Sequence, residues 1–189
     1  MKRYLIAILL ISVLASGLMV SCGEELQTFS KHDISFTLSE ELKLEEYTVS
    51  IEDQVLQKGT ASYEEGAVIS TEKNFMLLWA TAVPEFTQEE IRLSILTTPN
   101  SFESAGGTLQ AEITGDLSTQ QIAGFEVTFA MMEFTLPGWE APGITGIWYC
   151  SSSQRIMQLI LINEQPEKEM RWFIQSFSCE EAIWVRRSI

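Results

Sequence analysis

The chain has 189 residues and a strong excess of acid, with 26 Asp and Glu residues against 12 Lys and Arg residues and a formal net charge of −14. A surface of that charge repels polynucleotides and bare anionic bilayers, so nucleic-acid binding is excluded as the main activity. The length suits one domain with a sizeable core.

The first 22 residues have the layout of a secretory signal. Lys2 and Arg3 precede an almost unbroken apolar run over 4–20, and Ser21-Cys22 leads into an acidic segment. Cleavage before Cys22 and lipidation of its thiol would give a stably anchored lipoprotein, because such an anchor carries more than one acyl chain. An uncleaved membrane helix is the alternative, since about 20 apolar residues span a bilayer. Both interpretations place the remaining chain in the cell envelope, on the extracytoplasmic side of a membrane.

The sequence divides into four parts without internal repeats. We expect a signal peptide at 1–21, the lipidated Cys and a short tether at 22–27, a single domain at 28–179 and a tail at 180–189. In the tail, Ile183, Trp184 and Val185 suit an additional edge strand.

The first half of the domain predicts strands joined by tight turns. Alternating runs at 28–30 and 34–38 predict a hairpin around residues 31–33. Further strands are expected over 44–51, 55–63 and 67–71, with Glu64-Glu65-Gly66 as a turn. The continuous apolar run at 75–83 predicts a central strand that is covered on both faces.

The second half predicts a capped helix, several strands and a final helix. Thr87 and Glu90 form a capping box, and Pro99 is expected to end or kink the helix that follows. Strands are expected over 109–117, 122–134, 144–150 and 155–163, with a turn at 118–121, a loop at 135–143 and a bulge at Gly124. Pro166 opens the final helix. Its apolar stripe for the sheet consists of Met170, Phe173, Ile174 and Phe177.

These elements predict an α+β fold with a mostly antiparallel sheet. They comprise about seven or eight strands, mostly in hairpins, and two main helices, which leaves few crossovers for parallel pairing. The runs at 75–83 and 156–162 are apolar on both faces. We therefore expect a helix on each face of the sheet, an αβα sandwich.

Few residues are suited to catalysis. His32 is the only histidine and stands beside Asp33 in a predicted turn, so we expect a solvent-exposed residue rather than a general base. The motifs of serine hydrolases, zinc proteases and phosphate-binding loops do not occur. The six Glu-Glu pairs predict a solvated surface, because neighbouring side chains on a strand point to opposite faces and do not converge on one cation. We predict no catalytic, cofactor-binding or metal site.

Two cysteines remain besides Cys22. In an oxidising compartment, Cys150 and Cys179 are expected to form a disulfide. It would close a loop of about 30 residues and stabilise the fold by about 3–4 kcal/mol in the chain-entropy model. The alternative is two buried thiols that never meet. A disulfide would also remove the thiolates that a zinc site with His32 would need.

The tryptophans fall into two groups. Trp79, Trp148 and Trp172 lie on predicted strands or helices and are expected in the core. Trp139 lies between Pro137-Gly138 and Pro142-Gly143, in a segment that holds it either outward as a contact residue or down over the base of the loop. Arg155 follows a serine turn and is expected to pair with an acid.

The order of these elements resembles the PsbP-like superfamily over about 28–179. The likeness is carried by the first hairpin strand, the apolar strand that ends in Trp79, the capped helix, a later strand pair and the final helix, at 34–38, 76–79, 87–90, 124–126, 148–150, Arg155 and 173–179. The resemblance implies an αβα sandwich that binds or assembles other proteins without catalysis. Members include photosystem subunits and unrelated adaptor proteins, so the fold does not fix a partner. The metal sites of some members are not implied here, because their His positions are absent.

We therefore predict an anchored extracytoplasmic protein that binds or assembles an unknown protein partner. A lipoprotein that binds a small ligand or a cation is the alternative. A hydrolase that uses two of the many carboxylates is the weakest of the three, because nothing in the sequence distinguishes two of them.

Overall fold

The computed structural model describes residues 27–38, 43–56, 59–70, 74–81, 86–104 and 109–179. Within these residues the strands are β1 Gln27–Lys31, β2 Ile34–Leu38, β3 Glu45–Leu56, β4 Gly59–Ser70, β5 Phe75–Thr81, β6 Gln110–Ile113, β7 Ser118–Ile122, β8 Phe125–Leu136, β9 Trp139–Cys150, β10 Arg155–Ile162 and β11 Ser178–Cys179. The helices are α1 Gln88–Ser104 and α2 Pro166–Ser176. The predicted signal, Cys22 and the tail at 180–189 lie outside the described residues.

The strands form two antiparallel sheets, which confirms the predicted sheet type. The large sheet has the order β3-β4-β5-β10-β9-β8-β6, with β7 also paired to β8. The small sheet has the order β1-β2-β11. As predicted, β5 is central in the large sheet, since β4 and β10 pair with its two sides. The predicted hairpin around residues 31–33 is also present, with a turn at His32 and Asp33, whose φ angles are 56° and 58°.

Both helices begin as their sequences predict. The backbone N–H of Thr87 donates to Glu90 Oε2 at 2.7 Å, and the N–H of Glu90 donates to Thr87 Oγ1 at 3.3 Å, which completes the capping box of α1. The backbone N–H of Thr87 is the main cause that lowers the pKa of the Glu90 carboxyl, and the Thr87 hydroxyl, which donates to Glu90 Oε2 at 2.8 Å, lowers it further. In α2, the predicted stripe of Met170, Phe173 and Ile174 is buried, and Phe177 is buried just beyond the last helical residue.

The apolar core forms separate clusters around the two helices. Met170, Phe173 and Ile174 of α2 belong to a large cluster with side chains of β1, β2, β5, β9 and β10. Ile91 and Ile95 of α1 form a smaller cluster with Ala130 of β8 and Ile147 of β9. A third cluster contains Ala111, Met132, Phe134 and Ile160, with Phe102 of α1 packed against it. The small sheet thus packs with α2, whereas α1 packs with other side chains of the large sheet.

Several predicted turns and loops are wrong because the strands are longer than their sequences suggest. The segment Glu64-Glu65-Gly66 lies inside β4 rather than in a turn. The predicted turn at 118–121 lies within β7, and Ala123-Gly124 is a hairpin turn between β7 and β8 rather than a bulge in one strand. Both turn residues have positive φ angles, 50° and 89°, as a two-residue hairpin turn of type I′ requires. Pro99 does not end α1, which continues to Ser104.

The largest difference concerns the predicted loop at 135–143, which is a tight hairpin between β8 and β9. Leu136 pairs with Trp139, so only Pro137 and Gly138 form the turn. The carbonyl of Pro142 accepts a hydrogen bond from the N–H of Asn163, on the side of β9 that faces away from β8. The C=O and the N of one strand residue point to the same side of the strand, so both groups of Pro142 face away from β8. The N–H that Pro142 lacks is therefore not needed for the pairing of β8 with β9.

Candidate protein-contact site at the hairpin tip

The turn between β8 and β9 places Trp139 at a rigid position. We call residues 136–140 the hairpin tip. Pro137 fixes its own φ angle, and Gly138 adopts a φ of 82°, which suits the third residue of a type II turn. The Leu136–Trp139 pair closes the hairpin directly behind the turn. Trp139 is therefore held by a short closed turn rather than by the longer loop that the sequence suggested.

Trp139 is exposed, unlike the tryptophans of the core. Its exposed fraction is 39%, against 3% for Trp79 and 0% for Trp148. It borders an open cavity of about 540 Å³, lined by Gln110, Thr135, Leu136, Pro137, Gly138, Trp139 and Glu140. An exposed indole beside a concave surface is the combination found at protein-binding hot spots. Of the two interpretations of Trp139, the structure places the indole at the surface, and a contact role stays a prediction.

Three carboxylates share the strand surface next to the tip. Glu112 in β6 pairs directly with Glu133 in β8, and Glu140 in β9 pairs with Thr135, two residues further along β8. Alternation along the strands puts all three on the face opposite to Trp139. Glu133 and Glu140 also line a smaller cavity of about 280 Å³. Like charges directly opposite one another destabilise a sheet, so this end of the molecule carries an electrostatic cost in the free protein.

These carboxylates do not form a metal centre. No group of three His, Cys, Asp or Glu side chains in the described part of the chain is placed to hold an ion. The arrangement instead gives the tip one acidic face and one apolar, aromatic face. Both faces suit contact with a basic and apolar partner surface.

His32 lies far along the chain from the tip, in the β1–β2 turn. Its Nε2 is 3.2 Å from Glu46 Oε2, and its ring lies 5.4 Å from the indole of Trp79. The ammonium of Lys31 donates to the other oxygen of Glu46 at 2.6 Å. The prediction of a turn residue is confirmed, but the side chain is only partly exposed because Glu46 and Trp79 flank it.

The hydrogen bond from Lys31, with a smaller one from His32, lowers the pKa of Glu46. A lowered pKa in the folded state means that these contacts stabilise the fold above the pKa of an unfolded Glu. That contribution disappears as the pH falls through the lower, folded-state pKa. The side chains of Lys31 and Glu46 are 60% and 30% exposed, so solvent screens their interaction and its effect on stability is small.

The disulfide and Arg155 hold segments that are distant in sequence. Cys150 and Cys179 are bonded, with their Cα atoms 6.4 Å apart, so the predicted disulfide is present. Arg155 is buried, donates to the carbonyl of His32 and has its Nη2 3.6 Å from Asp33 Oδ2, which confirms the predicted ion pair. We call this end of the large sheet, near Thr81, Cys150 and Arg155, the disulfide end.

One of the core predictions for tryptophan is wrong. Trp172 lies on α2 but is 36% exposed. The buried stripe of α2 uses Met170, Phe173 and Ile174, and Trp172 falls between these positions on the flank of the helix. The sequence already indicated this exposure, because Trp172 does not fall at the i, i+3, i+4 spacing of the apolar stripe.

Other exposed apolar residues were missed by the sequence analysis. Leu93 and Leu96 lie on the outer side of α1, and Tyr47 lies on β3, each more than half exposed. The phenol of Tyr47 donates to Glu45 Oε2 at 2.7 Å, and this carboxylate raises the pKa of Tyr47.

Within the described residues, no helix is long and apolar enough to cross a membrane.

No family model and no curated protein matches the chain. Among solved structures, the chain is similar to the solution structure of cyanobacterial PsbP (CyanoP) from Synechocystis sp. PCC 6803, with a TM-score of 0.51 and 10% sequence identity. The likeness covers 85% of this chain and 95% of that chain. At this identity it concerns the fold alone. The predicted resemblance to a PsbP-like fold is thus confirmed at the level of fold.

Proposed function

We propose that this protein is a membrane-anchored extracytoplasmic lipoprotein whose domain binds another protein through the hairpin tip. The observation that carries the proposal is Trp139, exposed on a closed two-residue turn beside a cavity of about 540 Å³. The signal-like sequence at 1–21, followed by Cys22, supports the anchor. The PsbP-like fold supports a binding or assembly role rather than a particular partner.

We also infer that the domain at 28–179 is an αβα sandwich. Ile147 belongs to the cluster of α1, whereas Trp148, its neighbour in β9, belongs to the cluster of α2. Neighbouring strand residues point to opposite faces of a sheet. On this inference α1 covers one face of the large sheet, and α2 with the small sheet covers the other.

The polar residues that the structure brings together support a binding function rather than a catalytic one. Lys31 and His32 both contact Glu46, and Arg155 contacts the β1–β2 turn. These contacts link the small sheet to the large sheet, which is a structural role. The partner that fits the tip contacts both of its faces, with an apolar pocket for Trp139 on one side and basic groups for Glu112, Glu133 and Glu140 on the other.

The anchor is tested by Cys22→Ser in the full chain. We expect this variant to keep its signal or to leave the membrane, because the lipidated thiol is gone. Membrane fractionation and intact-mass measurement separate the two states. An unchanged mature mass with retained membrane binding would support the uncleaved helix instead.

Partner binding is tested by a pull-down from solubilised membranes with two tryptophan variants of the anchored protein. Trp139→Ala should weaken capture of a reproducible partner by about 30-fold or more, the loss expected from truncating a hot-spot residue. Trp172→Ala is the matched control, because this side chain is exposed to a similar extent but lies on α2. Equal capture by the two variants would remove the tip from the proposed function.

A further inference from the structure

The strand β6 forms one edge of the large sheet. Among the described residues its only strand neighbour is β8. Just beyond the end of β6, where the same register continues, the N–H of Thr114 donates to the carbonyl of Met131 at 3.1 Å. Hydrogen-bonded and non-hydrogen-bonded pairs alternate along an antiparallel ladder. The backbone groups of Glu112 therefore point to β8 like those of Thr114, whereas those of Ala111 and Ile113 point outward.

The outer edge of β6 thus presents the N–H and C=O groups of Ala111 and Ile113. Within the described part of the chain, none of these groups donates or accepts a hydrogen bond. An unpaired strand edge is a template on which another strand can be added. An extended segment that pairs with these two residues would continue the large sheet beyond β6.

The side chains of β6 indicate what such a segment carries. Ala111 is buried and Ile113 is partly buried, on the side of the sheet where Phe102 of α1 packs. Glu112 is exposed on the other side, directly opposite Glu133. Residues of an added strand alternate between the same two sides. Apolar side chains beside Ala111 and Ile113 would therefore alternate with a cation beside Glu112, where it offsets the repulsion between the two carboxylates.

The surroundings of this edge favour a different protein over a second copy of this chain. Pairing β6 with the same strand of another copy would bring together two edges that both carry Glu112, in a protein of net charge −14. Gln110, the first residue of β6, lines the cavity of about 540 Å³ that Trp139 borders. A segment that lies along β6 thus reaches the cavity at the hairpin tip.

We propose that the protein partner adds an extended segment to the outer edge of β6, with apolar residues beside Ala111 and Ile113 and a Lys or Arg beside Glu112. The hydrogen bonds to the backbone hold the segment, and the alternation of its side chains selects it. This inference rests on the proposed function, because it states how the partner of the hairpin tip is held.

The proposal is tested by hydrogen–deuterium exchange of the full-length, membrane-anchored protein. The probe is the peptide acetyl-Val-Lys-Val-Lys-Val-amide at concentrations up to millimolar, and acetyl-Val-Glu-Val-Glu-Val-amide is its control. The basic peptide should slow the exchange of the Ala111 and Ile113 amides by about tenfold or more, and the acidic peptide should not, as mass spectrometry of fragments will show. No protection of these amides, equal protection by both peptides, or protection at β3 instead would overturn the proposal.

Reversal of the charge at Glu112 shows whether the side chains contribute as proposed. Glu112→Lys should raise the concentration of basic peptide needed for protection by about threefold to tenfold, because like charges then face each other. Glu169→Lys is the matched control, since Glu169 is exposed and lies on α2. It should change that concentration by less than about twofold. Equal changes in the two variants would contradict the placement of the cation beside Glu112.

The pull-down from solubilised membranes separates this inference from the proposed function. An excess of the basic peptide should cause a loss of partner capture, because it occupies the edge of β6. Capture that Trp139→Ala weakens but the peptide does not would retain the hairpin tip as the contact site and remove the β6 edge. Capture that neither of them changes would remove both.

Discussion

The two ends of the β8–β9 hairpin are held in different ways. At the disulfide end, Cys150 is bonded to Cys179, and Arg155 contacts the turn between β1 and β2, so segments from the start, middle and end of the domain meet. At the hairpin tip, Leu136 pairs with Trp139, and the neighbouring Glu112 and Glu133 carry like charges. The disulfide end is stabilised by contacts between distant segments, whereas the tip exposes an indole and unbalanced charge. The difference separates the residues that hold the fold from those available to a partner.

The largest expected effect on stability appears when a buried and an exposed tryptophan of this hairpin are compared. Trp148→Ala should lower the free energy of unfolding by about 3–5 kcal/mol, because a completely buried indole leaves a cavity. Trp139→Ala should lower it by less than about 1 kcal/mol, because its indole is exposed. Denaturant unfolding followed by circular dichroism measures both. A large loss of stability for Trp139→Ala would make the tip part of the core and would break the comparison.

The next effect concerns the covalent bond of the disulfide end. Reduction of the Cys150–Cys179 bond should lower the free energy of unfolding by about 3–4 kcal/mol, since it restores the entropy of a loop of about 30 residues to the unfolded chain. The double variant Cys150→Ala/Cys179→Ala serves as the control, because reductant should not change its unfolding midpoint. If reductant leaves the wild-type midpoint unchanged as well, the bond does not stabilise this end.

A smaller effect is expected where β4 passes the indole of Trp79. A Cβ added at Gly66 would overlap the indole ring, so Gly66→Ala should lower the free energy of unfolding by about 1–3 kcal/mol. Gly115→Ala is the control, since a Cβ there meets no atom within 4 Å. Its effect should stay within about 0.5 kcal/mol. Equal unfolding midpoints for the two variants would show that Trp79 is not packed closely against β4.

The smallest expected effect is a gain in stability, and it comes from a substitution at the hairpin tip. Glu133→Lys should raise the free energy of unfolding by about 0.2–1 kcal/mol, because it turns a like-charged pair with Glu112 into an attractive one. The same variant should weaken partner capture if the partner is basic. Thermal unfolding in low and high salt measures the first effect, which salt should reduce. A loss of stability in low salt would contradict the cross-strand placement of these carboxylates.

Much of the fold could be predicted because local patterns and tertiary structure agree. The capping box at Thr87 and Glu90, the apolar stripe of α2 and the central strand β5 follow from spacing and hydrophobicity alone. The disulfide followed from the even number of cysteines that remain after Cys22. In each of these elements the residues that decide the structure lie close together in sequence or have one evident partner.

The candidate site was less predictable because its geometry depends on distant strands. Pro137-Gly138 and Pro142-Gly143 together suggested one long loop, yet only the first pair forms a turn. Pro142 fits inside β9 because β10 pairs with that strand only up to Gly143, a fact of tertiary structure.

The most direct test of the central claim is photo-cross-linking from the tip in native membranes. The cross-linking residue p-benzoylphenylalanine replaces Trp139 in one protein and Trp172 in another, two tryptophans of similar exposure. The account predicts a specific protein adduct from position 139 and no such adduct from position 172. The same adduct from both positions, or from position 172 alone, would contradict the assignment of the hairpin tip as the contact site.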